Sequence, residues 1–230
     1  MDAPAGPMYN LRAVKRRLAV LSVVALCAGC ARSPGLPPPG PRRQMIITVA
    51  LDAPINSAYN YFIAIDTNGN PDDGPVPLIM TPSIPMPVTR FPLTISDSDV
   101  PPAFVVWFSN GVFRQYRNQV FIGPPFTAQI AADRRSFSVT IDLDQVSTTA
   151  SALDINLVTA DRLIPPDDPL APIDTDGLGP TGNSYLAGLS ILQSARYTNA
   201  TSLIPEEPGD APDPSLDLVD WSLEVRLSSP

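Results

Sequence analysis

The chain has 230 residues, among them 29 Pro, 13 Gly, two Cys and no His. Without an imidazole the commonest general base, the commonest metal ligand and every His-dependent catalytic triad are excluded. A formal net charge of −8 gives no electrostatic case for nucleic acid or for anionic lipid headgroups.

The N-terminus carries Arg12, Lys15, Arg16 and Arg17, then the apolar run Leu18 to Leu26, then Cys27-Ala28-Gly29-Cys30. A basic segment followed by an apolar run too short to span a bilayer reads as a signal peptide over residues 1–29. Small residues ahead of a Cys resemble the lipobox of bacterial lipoproteins, which implies that Cys30 is acylated and becomes the new N-terminus. Cys27 stands where that motif usually has Leu, with Leu26 one place further back. The alternative is an ordinary secretory signal cut nearby, leaving a soluble protein; Met8 is an alternative start. Cleavage before Cys30 leaves 11 Arg, no Lys and 22 acidic residues. Attachment to a membrane must then come from the acyl chains on Cys30. No thiol remains for a disulfide or a nucleophile. Ala31 lacks the Asp that resembles an inner-membrane retention signal, which favours the outer membrane.

Residues 30–42 form the lipidated Cys and a Pro-rich tether, ARSPGLPPPGP, expected to be extended polyproline II. Residues 43–230 are long enough for one substantial core, and the strand signals in them are short and closely spaced. MIITVAL at Met45 to Leu51 is the first strand and YNYFIAID from Tyr59 the second. The second is apolar on both faces, which predicts an internal, covered strand. It runs into DTNGNPDDG, where Asn68-Gly69 and Pro71 end it. Asp66, Asn68, Asn70, Asp72 and Asp73 crowd oxygens around this turn, the donor set that a hard cation such as Ca²⁺ takes. The spacing departs from a helix-loop-helix calcium loop, with Pro71 in place of its Gly and Pro77 in place of its Glu. An Asx-rich turn with solvated carboxylates is the competing reading.

Val76 to Met80, with Pro77 inside, suits an edge strand, and Phe91 to Ile95 is another apolar run. Ala103 to Phe108, Asn110-Gly111 and Val112 to Arg117 spell a hairpin. FTAQIAA, a turn at Asp133 to Arg135 and SFSVTIDL spell a second. Asp154 to Asp161 and Val219 to Leu227 complete the strands, the last alternating apolar with polar. Eight or more short strands and no sustained helical period predict an all-β fold, a single antiparallel β-sandwich of jelly-roll type.

Two long stretches, Leu163 to Asn183 and Thr198 to Ser215, interrupt the strands. The first holds Asp167, Asp168, Asp174 and Asp176; the second holds Glu206, Glu207, Asp210 and Asp213. Brought together they would make either a cation site or a repelling, solvated face, and the solvated face is the expectation. Trp107 and Trp221 share faces with aliphatic residues and are expected in the core. Tyr59, Tyr116, Tyr185 and Tyr197 fall near strand ends or in loops and suit ligand contact. Asn199-Ala200-Thr201 matches a glycosylation triplet but carries little weight in a bacterial lipoprotein. No pair of carboxylates is fixed at a hydrolytic separation, so an enzyme is not expected.

YFIAIDTNGNPDDG resembles an element of DOMON-like and family 9 carbohydrate-binding-module-like β-sandwiches, which implies a sandwich fold and a haem or sugar ligand. The lack of His removes Met/His haem ligation, so no haem is expected. Together with GPVP, DINLVTADR, DGLGP and DLVDWSLEV the chain also looks like a group of bacterial lipoproteins without an assigned activity. The expectation is a non-catalytic envelope binding module with a glycan ligand and a structural Ca²⁺. A structural accessory subunit docked on an envelope protein partner is the alternative, and it requires an exposed apolar patch.

Overall fold

The structure is a computed structural model. It describes residues 42–70, 74–75, 103–118, 120–163, 173–182 and 184–228. The signal peptide, Cys30, the tether, Asp72, Asp73, Asp167, Asp168 and the apolar runs at 76–80 and 91–95 lie outside these residues.

Twelve strands are described. The first half of the chain supplies β1 (Arg43–Leu51), β2 (Asn60–Asp66), β3 (Phe104–Ser109), β4 (Val112–Arg117), β5 (Val120–Gly123) and β6 (Thr127–Ile130). The second half supplies β7 (Ser136–Asp142), β8 (Ala152–Ala160), β9 (Thr175–Gly177), β10 (Leu186–Ser190), β11 (Ala195–Thr198) and β12 (Leu218–Leu227). One short helix, α1 (Leu143–Val146), follows β7. The strands form two antiparallel sheets, in the orders β11-β12-β1-β7-β6 and β10-β8-β2-β3-β4-β5, with β9 beside the end of β8. The protein is an all-β sandwich. Among the described residues no helix is long and apolar enough to cross a membrane.

The first sheet follows the two-residue period. Met45, Ile47, Val49 and Leu51 of β1, Phe137, Val139 and Ile141 of β7, and Trp221, Leu223 and Val225 of β12 turn inward, and the residues between them are mostly part-exposed. These side chains form one core with Tyr61, Ile63 and Ile65 of β2 and Phe104, Val106 and Phe108 of β3. Each fully buried aliphatic or aromatic side chain contributes about 1.5–3 kcal/mol. Across the gap the Phe137 ring meets Phe113 at 5.6 Å and Tyr61 edge-on at 6.2 Å. The sheets are thus locked by aromatic contacts at one point.

All of β2 is buried, as its two apolar faces require. Its second face places Phe62 and Ala64 in a separate cluster with Val105, Val158 and Ala160. Trp107 belongs there too, packed in parallel on Phe62 at 5.9 Å with its Nε1–H on Asn60 Oδ1 at 3.1 Å. It is therefore half-buried on the outer face of the second sheet, whereas Trp221 is in the inter-sheet core. The Asn110-Gly111 turn adopts positive φ at both residues, 51° and 76°, which is what closes β3 on β4 without splaying them.

Candidate functional site

The two long acidic stretches converge, and part of their charge lies out of solvent. Asp176 is in β9, which pairs with the last residues of β8, and Asp217 directly precedes β12. One carboxylate oxygen each from Asp176, Asp210 and Asp217 lie within 4.8 Å of one another. Asp176 is 6% exposed and Asp217 1%, while Asp210 is exposed. Glu206, 4% exposed, senses the charges of all three.

Backbone N–H groups are aimed at these carboxylates. Gly177 and Leu218 donate to the two oxygens of Asp176, each at 2.7 Å. Gly209 donates to Asp217 Oδ2 at 2.7 Å, and Gly179 donates to Glu206 Oε1. Asp217 Oδ1 and Glu206 Oε2 are buried with no hydrogen-bond partner among the described residues. Burial raises Asp176 to about 7 and Glu206 to about 8, against the lowering pull of their backbone donors. Asp217 is raised as well, by burial first and then by the adjacent Asp210 carboxyl.

The segment DGLGPTG that carries Asp176 is glycine-rich for steric reasons. A Cβ on Gly177 would stand 2.5 Å from the carbonyl oxygen of Gly182, and Gly179 has φ +79°. The second segment is held by side chains. Asn199 takes the N–H of Glu206 on Oδ1 at 2.7 Å, and its Nδ2 donates to Glu206 O at 3.0 Å and Val219 O at 3.2 Å. Thr159 Oγ1 donates to Leu216 O at 2.7 Å and Tyr61 OH to Ser215 O at 3.0 Å. Tyr59 OH donates to Asp213 Oδ2 at 2.7 Å; the Ser215 N–H first, and then this phenol, hold Asp213 below the usual carboxylate range. The long loop is therefore fixed to β2, β8 and β12.

The same loop walls a cleft of about 380 Å³ lined by Tyr185, Leu186, Leu189, Tyr197, Thr198, Thr201, Ser202, Leu203, Ile204 and Trp221, with no charged side chain. The indole Nε1–H of Trp221 is buried without a hydrogen-bond partner among the described residues. A Cβ on Gly74 would run into the Tyr185 ring, so glycine is what lets that ring settle. On the other side of Leu203, Ile204 and Pro205 a second cleft of about 550 Å³ is lined by Glu207, Gly209 and Asp210.

The Asp66 turn is elsewhere. Asp66 pairs with Asp154 on β8 and Asp176 with Thr159, five residues further along, so the two acidic regions are separated by roughly 17 Å of strand. Asp66 Oδ1 accepts from the N–H of Thr67 at 2.5 Å and of Asn68 at 3.1 Å, and Asn68 Oδ1 accepts from Asn70 N–H at 2.6 Å. That is an Asx turn in the described part, with Asp72 and Asp73 outside it. Of the expected tyrosines, Tyr185 and Tyr197 line the cleft, Tyr59 is engaged with Asp213, and Tyr116 packs 6.1 Å from Trp107. Asp217 escaped sequence reading, although a carboxylate between Leu216 and Leu218 at the start of an alternating strand is a signal of burial. Asn199 escaped because its clamp depends on residues 7 and 20 places away. Comparisons of the chain with protein-family models, with curated proteins and with solved structures each gave no match, and its chemistry is read from this geometry.

Proposed function

We propose that this is a lipid-anchored cell-envelope protein, attached through acyl chains on Cys30, whose β-sandwich binds a ligand and performs no catalysis. A neutral sugar is the ligand class. The observation that carries this reading is the cleft beside Trp221: two tyrosines and an indole supply flat apolar faces, Thr198, Thr201 and Ser202 supply hydroxyls, and the lining carries no charge. A pyranose offers the complement, a C–H face for the tyrosine rings and hydroxyl groups for Thr198, Thr201 and Ser202. The Asp66 turn supports the fold in this reading, with Ca²⁺ at Asp66, Asn68, Asn70, Asp72 and Asp73 as its structural ion.

The test is calorimetric titration of the lipidated chain in detergent micelles with neutral oligosaccharides. Binding that weakens about tenfold or more in Tyr197→Ala supports the reading, since truncating a central aromatic contact costs more than about 1 kcal/mol. Binding unaffected by Tyr197→Ala, or none with any neutral sugar, overturns it.

A second reading, a structural subunit docked on an envelope partner, is favoured by the exposed apolar residues Val112, Val120, Phe121, Ile122 and Phe126 around the edge strand β5. Crosslinking in the envelope that is lost with Phe121→Asp supports it; crosslinks that persist count against it.

A further inference from the structure

We propose that Asp176, Asp210 and Asp217 are the ligands of a hard divalent cation, Ca²⁺ by its chemistry, and that this ion pins the long loop which walls the sugar cleft. The site is separate from the Asp66 turn. It does not depend on what the cleft binds.

Three carboxylates with oxygens inside 4.8 Å repel one another unless protons or a cation intervene. Burial disfavours the charged forms, and backbone donors offset part of that cost. Four backbone N–H groups, of Gly177, Leu218, Gly209 and Gly179, point at Asp176, Asp217 and Glu206, and hydrogen bonds to a carboxylate favour its ionised state. No positive side chain answers that charge: the ion pairs among the described residues are Arg43 with Asp144, Arg162 with Asp161 and Arg226 with Glu224. Protonation is the competing answer, and at Glu206 it leaves a polar atom unsatisfied. A proton on Glu206 Oε2 would itself be a buried donor, and that atom has no partner among the described residues. Asp217 Oδ1, on a cluster residue that is 99% buried, has none either. A buried acceptor without a donor is costly, and a cation satisfies it.

Carboxylate oxygens alone select a hard ion, and the irregular set of two buried ligands and one exposed one suits Ca²⁺, which tolerates variable geometry and completes its shell with water. Mg²⁺ demands near-ideal octahedral ligands. Asp210 faces the cleft it shares with Gly209 and Glu207, which gives the ion a way in.

The mechanical consequence follows from where the ligands sit. Asp176 belongs to β9, Asp217 to the root of β12, and Asp210 to the loop between Pro205 and Leu216. An ion bridging them ties both long stretches together and fixes Leu203, Ile204 and Pro205, the ridge between the two clefts.

The experiment uses the lipidated chain in detergent micelles, stripped with chelator and titrated with CaCl₂ by calorimetry and by thermal melting near neutral pH. At a free concentration about a hundred times Kd the midpoint should rise by roughly 5–10 °C. Asp210→Asn, at an exposed position that leaves folding intact, should weaken Ca²⁺ binding about tenfold or more, and Asp217→Asn likewise. Asp66→Asn should remove only the binding that belongs to the Asp66 turn and leave the part that Asp210→Asn weakens unchanged. The proposal is overturned by no Ca²⁺ response up to millimolar ion, by a response insensitive to Asp210→Asn, or by a response abolished by Asp66→Asn alone. A chain indifferent to Ca²⁺ whose midpoint climbs as pH falls would show that protons hold the cluster, and it too overturns the proposal. Sugar titration of the same sample reports on the cleft independently.

Discussion

Asn199 is the clamp on which the acidic loop depends, and replacing it with Ala has a calculable cost. Its side chain makes three hydrogen bonds, to Glu206 N–H, Glu206 O and Val219 O, at 2.7, 3.0 and 3.2 Å. Each contributes about 1 kcal/mol net, and water reaches this part-buried site to replace some of what is lost, so Asn199→Ala should cost about 2–3 kcal/mol. In a domain of this size that lowers the midpoint by roughly 5–10 °C. Asn199→Asp keeps the acceptor for Glu206 N–H but turns a carboxylate oxygen toward the Glu206 and Val219 carbonyl oxygens, so it should cost at least as much. Thermal melting gives the magnitude and amide exchange gives the place: protection should fall between residues 200 and 217 and hold in β1, β2 and β7. A midpoint within about 1 °C of the parent, or protection lost uniformly across both sheets, would refute the argument.

Phe137→Ala removes the ring that joins Phe113 and Tyr61 across the sheets and should cost about 3–5 kcal/mol in a urea melt. Gly177→Ala puts a methyl group against the Gly182 carbonyl oxygen, backbone that does not yield easily, and should cost about 1–3 kcal/mol while weakening Ca²⁺ binding. Asp176 and Glu206 hold their protons more tightly folded than unfolded, at about 7 and about 8, with Asp217 shifted the same way. Their contribution is therefore full below the ordinary carboxylate range and is lost as pH rises through about 7 to 8, so the chelator-treated protein should melt lower at about pH 8.5 than at about pH 6. Asp213, shifted down, acts oppositely: its contribution is lost only as pH falls below the ordinary carboxylate range, so it does not mask the effect. Saturating Ca²⁺ should flatten the curve, and a midpoint that rises with pH in chelator would contradict the assignment.

The sheets were legible because their signals are local. The alternation in β7 and β12, the two apolar faces of β2 and the Asn110-Gly111 turn each need only a few neighbouring residues to be read. The strands β5, β9, β10 and β11 were not legible. They have five residues or fewer, and β10 is interrupted where Gly188 takes φ +64° and the register slips between Leu186 and Leu189. Trp107 was placed in the core because its strand is apolar on both faces, yet that pattern equally permits the outer cluster it joins. The acidic stretches were recognised but expected in water. Composition cannot reveal that Leu216 and Leu218 drag Asp217 inside, or that Asp176 accepts a hydrogen bond from the N–H of residue 218.

The most direct test of the binding account is the indole N–H resonance of Trp221 during titration with a neutral oligosaccharide. Trp107 is the internal reference, since its Nε1–H is already bonded to Asn60. The account predicts that the Trp221 resonance moves and saturates as the cleft beside the buried indole fills, that Trp107 stays in place, and that Tyr197→Ala removes the change. A Trp221 resonance that does not move while the sugar demonstrably binds would contradict it.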